Sequence, residues 1–110
     1  MTPRLTADFW VTAYLARLNG EGIFAHIAHR GDATAGAIAI KVATMNNLAS
    51  LYMRNYDGDG QRIWADVMVD AQESEVDAYI AKQRGYDRDL WVIEVEDPRG
   101  RHLLDQDGLA

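Results

Sequence analysis

The carboxylates offer the most direct chemistry in this chain. Glu94, Glu96 and Asp97 close one apolar run, and Asp66, Asp70 and Asp89 lie elsewhere. Carboxylates gathered at a strand end are what a divalent-metal-dependent, nuclease-like hydrolase uses to hold its ion and orient water. Glu94, Glu96 and Asp97 are the metal ligands such a site would draw on. The usual nuclease strand motif, a carboxylate two residues before a lysine, is missing. Glu94-Val95-Glu96 holds no lysine, and Ala39 stands two residues before Lys41.

Other chemical patterns fail on context. His26 and His29 are three apart, a spacing that points them to opposite faces of a strand, so they do not share a metal. Asn55-Tyr56-Asp57-Gly58-Asp59-Gly60 looks like the start of a calcium loop, with Asp66 in the twelfth position. The first residue is Asn, Arg62 stands where an apolar residue belongs, and both flanks read as strands, so a hairpin turn is expected. Arg30-Gly31-Asp32 is the tripeptide of adhesion ligands, but no secretory signal accompanies it. Gly31 is read as making a turn and Asp32 as hydrogen-bonding the loop backbone. Ser50 and Ser74 lack the Gly-x-Ser-x-Gly setting of an activated nucleophile. Gly58 and Gly60 lack the Lys-Ser/Thr pair and helix of a phosphate loop. The chain has no cysteine, which excludes disulfides, thiolate nucleophiles and Cys-based zinc sites. No cofactor is called for.

A second kind of chemistry is binding. Tyr52, Trp64 and Met68, mixed with Ser50, Arg54 and Asp66, and with Leu90 and Val92 on the last strand, have the aromatic, Met and polar mixture that interface cores enrich. Tyr14 belongs to a helix that is apolar around most of its circumference. Tyr14, Tyr52, Trp64 and Met68 therefore mark the candidate interaction surface, for a second copy or a protein partner. The competing reading is that a helix covers the face carrying Tyr52 and Trp64 and makes it core.

These residues must be positioned by the following elements. Thr6 caps a helix from Ala7 to Leu18, stopped by Asn19-Gly20. Strands follow at Ile23 to Arg30, Ala37 to Met45, Leu48 to Arg54 and Arg62 to Asp70. Asn46-Asn47 turns the second strand into the third. The second strand has Ile38, Ile40 and Val42 on one face and small residues with Lys41 on the other, a face suited to close helix approach. Ile63, Ala65, Val67 and Val69 are read as the inward face of the fourth strand. A second helix runs from about Glu73 to Arg84, with Val76, Tyr79, Ile80 and Gln83 as its stripe, Ser74 and Asp77 as a capping box and Gly85 as its stop. Trp91, Ile93 and Val95 share one face of the last strand, and Pro98 ends it.

The order helix–four strands–helix–strand predicts an α+β, two-layer fold with a mainly antiparallel sheet and both helices on one face. A chain of 110 residues, 48% of them hydrophobic, is expected to form one globular domain over residues 1–110. The formal charge of −6 and the absence of a Lys/Arg-rich run argue against nucleic acid as a partner. No stretch approaches the ~20 apolar residues of a membrane span, and the N-terminus lacks a signal-peptide run, so a cytoplasmic location is expected.

Three segments carry a family resemblance: Arg4-Leu5-Thr6-Ala7-Asp8-Phe9-Trp10-Val11, Arg30-Gly31-Asp32 through Ile40-Lys41-Val42, and Tyr79-Ile80 through Asp97. Across nearly its whole length the chain resembles a family of short bacterial proteins known only as a domain of unknown function. The resemblance implies a bacterial, cytoplasmic setting and transfers no activity, cofactor or catalytic residue. The expectation is a small cytoplasmic binding or interaction domain, with a homodimer as one form of that interaction and the divalent-metal-dependent hydrolase as the alternative.

Overall fold

A computed structural model describes residues 6–56 and 62–106. The elements run α1 (Ala7–Gly20), β1 (Phe24–His29), β2 (Ile38–Ala43), β3 (Leu48–Tyr56), β4 (Arg62–Gln72), α2 (Glu73–Tyr86) and β5 (Trp91–Glu96). The sheet order is β1-β5-β2-β3-β4. Every neighbouring pair is antiparallel except β2–β5. The α+β class, the element order and the mainly antiparallel sheet are as the sequence predicts.

The placement of the helices differs in one respect. Each covers its own sheet face. The parallel register sets Ile38 beside Trp91, Ile40 beside Ile93 and Val42 beside Val95. These six form one apolar ridge, and Trp10, Val11, Tyr14 and Leu18 of α1 pack on it. On the reverse face Ala39, Ala49, Leu51, Leu90 and Val92 meet Val76 and Ile80 of α2. The physical reason is that β2 and β5 are buried on both faces, so one helix layer cannot cover them. The small Ala39 and Ala49 do admit the close helix that their size suggests.

The N-terminus of α1 is capped by backbone. Thr6 donates its hydroxyl to Asp8 and makes no side-chain cap bond. Ala7 and Asp8 instead donate their N–H groups to the carbonyls of Thr34 and Ala33, so the loop after β1 satisfies the first orphan donors of the helix. Asp32 braces that loop by accepting from the Thr34 and Ala35 N–H groups with one carboxylate oxygen. The Trp91 indole donates to the Asp32 carbonyl at 2.7 Å. The expected role of Asp32 in Arg30-Gly31-Asp32 is therefore met, whereas the turn falls on Ala33 to Ala35 and Gly31 precedes it. Ser74 lies within α2, whose cap residue is Gln72, and the helix passes through Gly85 to Tyr86.

Two register slips in the β3–β4 pair change which β4 residues point inward. Ile63 and Val69, expected inside, are exposed. Trp64 packs against the α1 core, while Val67, Met68 and Ala71 pack against the α2 core. Asp70 sits in the bulge at φ 48° and donates its N–H to the Ser50 hydroxyl. An extra residue in one strand flips every side chain beyond it to the other face. The sequence carries no signal for that slip.

Candidate functional site

α1 covers β1, β5 and β2 but leaves much of β3 and β4 open on its side of the sheet. The segment after Pro98 crosses this opening. It is held by Asp97, which is buried and clamps Arg101: Oδ1 accepts from the guanidinium at 2.9 Å, and Oδ2 accepts from the Arg101 backbone N–H at 2.8 Å. Tyr14 donates its hydroxyl to the His102 carbonyl at 2.8 Å. The Leu104 N–H donates to His102 Nδ1 at 3.0 Å, and Leu104 enters the α1 core.

Between this segment and the sheet lies a groove of about 490 Å³ lined by Tyr52, Ile63, Trp64, Asp66, His102, Leu104 and Asp105. The Tyr52 and His102 rings meet at 4.6 Å, and Trp64 tilts against Trp10 at 5.3 Å. Arg54 lies over both Trp10 and Trp64, at 5.4 and 5.9 Å from the ring centroids. Burial holds the His102 pKa below its ordinary value, against the pull of Asp105 and Asp66, so the ring is neutral at pH 7. Burial raises the Tyr52 pKa, with the Ser50 hydrogen bond opposing and Asp66, Asp70 and Asp105 adding to the rise. Asp66 and Asp105 thus act on two of the groove's rings. Beyond Tyr52 a more polar hollow of about 500 Å³ continues toward Ser50, Asp70 and Arg99.

The expected interaction residues separate. Tyr52 and Trp64 line the groove. Tyr14 is wholly buried, stacked on Trp10 at 4.8 Å, and is a support of the site rather than its surface. Met68 pairs with Leu51 and faces α2, on the opposite side of the sheet, because of the β4 slips. Leu90 and Val92 belong to that side too. His102, Leu104 and Asp105 escaped the sequence reading. They follow a proline in a segment without periodicity, and only the folded chain brings them to Tyr52.

The carboxylates of the hydrolase reading do not converge. Asp97 is taken by Arg101, whose side-chain hydrogen bonds, with backbone hydrogen bonds and its charge, hold the Asp97 pKa below the ordinary value against the opposing effect of burial. Glu94 faces Lys41 at 3.7 Å on the α2 side, and Glu96 follows two residues on. Among the described residues no group of three or more His, Asp or Glu is placed to hold a metal. The turn Asn55 to Gly60, considered for calcium, lies largely outside the described residues. His26 and His29 need a correction. The register slips between Ile27 and His29, pairing His26 with Glu94 and His29 with Val92, so both histidines stand on the α2 side.

The Asp97 clamp can be tested by pH. Its folded pKa is lowered, so the stabilisation is present above the unfolded value of 3.8 and disappears as pH falls through the folded value. Asp97→Ala should cost about 1–2 kcal/mol at neutral pH, because Arg101 is partly exposed and screened. Urea titrations should show the gap to the unsubstituted protein closing in acid. A gap independent of pH would rule out the charge as its origin.

Lys41 is a further charged residue to which the sequence reading gave no site role. It is buried in central β2, with Nζ 2.7 Å from Glu73, 2.7 Å from Asp77 and 3.7 Å from Glu94. Desolvation works against its charge, but hydrogen bonds to Asp77 and Glu73 and the Glu94 charge outweigh it, and its pKa is raised. A lysine held protonated is a counter-ion, not a nucleophile. Its sequence signal was a single cation inside an apolar strand.

The family model described as protein of unknown function (DUF1491) matches residues 5–105. A crystal structure of a DUF1491 family protein from Caulobacter crescentus CB15 is 39% identical, with a TM-score of 0.85 over 93% of this chain and 96% of that one. An NMR structure of a DUF1491 family protein from the same organism is 38% identical, with a TM-score of 0.83 over 94% and 96%. A solution structure of a protein from A. tumefaciens is 25% identical, with a TM-score of 0.75 over 86% of each chain. No curated protein matches. With the match spanning nearly all of the described fold, the chain belongs to the DUF1491 family, whose function is unknown.

Proposed function

We propose that this protein is a bacterial, cytoplasmic binding domain, acting as one unit over residues 1–110, whose ligand seats in the groove between Tyr52, Trp64 and His102. The observation that carries the reading is the half-buried aromatic set in a 490 Å³ hollow on a sheet face that α1 leaves open. A concave, mainly apolar site with a few polar groups is the ordinary form of a ligand seat. The test is a titration of the ¹⁵N-labelled protein with N-acetyl amino-acid amides at millimolar concentration, the range where single side chains bind. Shifts confined to β3, β4 and residues 102–105 are expected for at least one amide. No groove shift with any amide would reject the seat.

A homodimer is the second reading, favoured by the edge strand β1. Its outer side has no partner among the described residues. It contains no proline or Lys/Arg, and Phe24 is 62% exposed. β4, the opposite edge, is kinked by its register slips, whereas β1 has little to discourage strand addition. A two-fold axis would pair β1 with itself. Sedimentation velocity should show dimer at tens of micromolar and monomer for Phe24→Lys. A single monomeric species for the unsubstituted chain would reject stable dimerisation.

A further inference from the structure

We infer that the groove takes an arginine side chain presented by a protein partner. The inference rests on the groove being the binding seat and adds the chemistry of its occupant. Three features of the hollow and the charge of the whole chain converge on a flat cation. Trp64 and Tyr52 line it, and aromatic rings attract cations through the ring quadrupole. Asp66 and Asp105 stand in the same lining, both exposed, and neither forms an ion pair with a cation among the described residues. His102 is neutral at pH 7 and adds no repulsion there. The chain as a whole carries a formal charge of −6, which favours approach of a basic partner.

Arginine fits better than lysine for reasons of shape. A guanidinium is planar and weakly hydrated, so it stacks on a ring while its fork reaches a carboxylate. The protein already uses this arrangement internally, with Arg30 over Trp91 at 5.2 Å and Arg54 over Trp10 and Trp64. Arg54 is the one described cation beside the groove rings, and its charge opposes a second guanidinium. Two carboxylates facing the hollow outnumber it. The three-carbon stem of arginine would lie along Ile63 and Leu104, which gives the apolar lining a role.

The experiment compares N-acetyl-arginine amide with its neutral isostere, N-acetyl-citrulline amide, by ¹⁵N shift titration of the full chain. The arginine probe should shift groove residues and bind about tenfold more tightly than citrulline. Raising the salt concentration should weaken it. The variant carrying both Asp66→Asn and Asp105→Asn changes two exposed side chains and keeps the fold. It should reduce arginine binding to the citrulline level. Trp64→Ala should abolish it, with the spectrum away from the groove as the check on folding. Equal binding of arginine and citrulline, or binding of leucine or phenylalanine amide in preference to arginine, would overturn the cation inference while leaving the groove as a seat. Absence of groove shifts with every amide would overturn both.

Discussion

Gly31→Ala should destabilise the protein by about 3 kcal/mol or more, the upper range for forcing atoms into a packed site. A Cβ on Gly31 would collide with the Asp89 carbonyl oxygen and would lie 2.6 Å from Trp91 Cδ1 and 2.7 Å from the Trp91 backbone nitrogen. Two of these atoms are backbone of the segment leading into β5, whose Trp91 N–H donates to the Ala37 carbonyl and whose Asp89 carbonyl accepts from the Asp32 N–H. The chain has no flexible end to move aside. Relief would require lifting the loop from β5, which would also loosen the Trp91 indole from Asp32 and the loop carbonyls from the start of α1. Gly36 also faces the Asp89 carbonyl oxygen and Trp91 Cδ1, with the Asp32 backbone nitrogen as its third neighbour, and should behave likewise. Gly85 is the control, because it lies in α2 with open space around its Cα. Gly85→Ala should stabilise by roughly 0.5–1 kcal/mol through helix propensity. Thermal melts of the two variants should therefore move in opposite directions. A Gly31→Ala melting temperature equal to that of the unsubstituted protein would show that the loop does not lie on β5 as described.

Lys41→Met should cost about 2–4 kcal/mol at neutral pH, somewhat under the range for breaking a buried ion pair because Glu73 and Asp77 are partly exposed and screened. Methionine fills the lysine's volume, so the loss reports charge rather than a cavity. Without the ammonium, Glu73, Asp77 and Glu94 face one another across the junction of α2 with the sheet. Glu94→Gln in the Lys41→Met background should recover part of the loss. The pH dependence has a definite sign. Lys41 has a raised folded pKa, so its stabilisation is fully present below the unfolded value of 10.5 and is lost as pH rises through the higher folded value. Tyr14 and Tyr52 push the same way from 10.0 upward, since burial raises both. The difference between the unsubstituted protein and Lys41→Met isolates the lysine. Urea titrations should show that difference shrinking above pH 10.5. A loss below about 0.5 kcal/mol, the level of a surface substitution, would mean that the ion pairs contribute nothing net to stability.

Local physics wrote much of this fold into the chain. Alternation marked β2 and β5. Turn residues separated the strands, and the stripe of Val76 and Ile80 marked α2. The face shared by Trp91, Ile93 and Val95 and the bracing role of Asp32 are both short-range patterns, and both hold. The sequence also says that β2 and β5 are apolar on two sides. It cannot say which helix covers which side, because either helix satisfies either face until the crossings between strands are set. The β4 slips show the same limit. Each residue keeps its local preference, yet the two slips send Val69 to solvent and Met68 to the α2 side. The groove is a tertiary product throughout. Tyr52 and Trp64 come from paired strands, whereas His102, Leu104 and Asp105 arrive from a segment positioned by the Asp97–Arg101 clamp and the Tyr14 hydroxyl. No spacing rule relates residues so far apart in sequence. Their meeting depends on the layer that α1 leaves uncovered, a quantity that exists only once the sheet has formed.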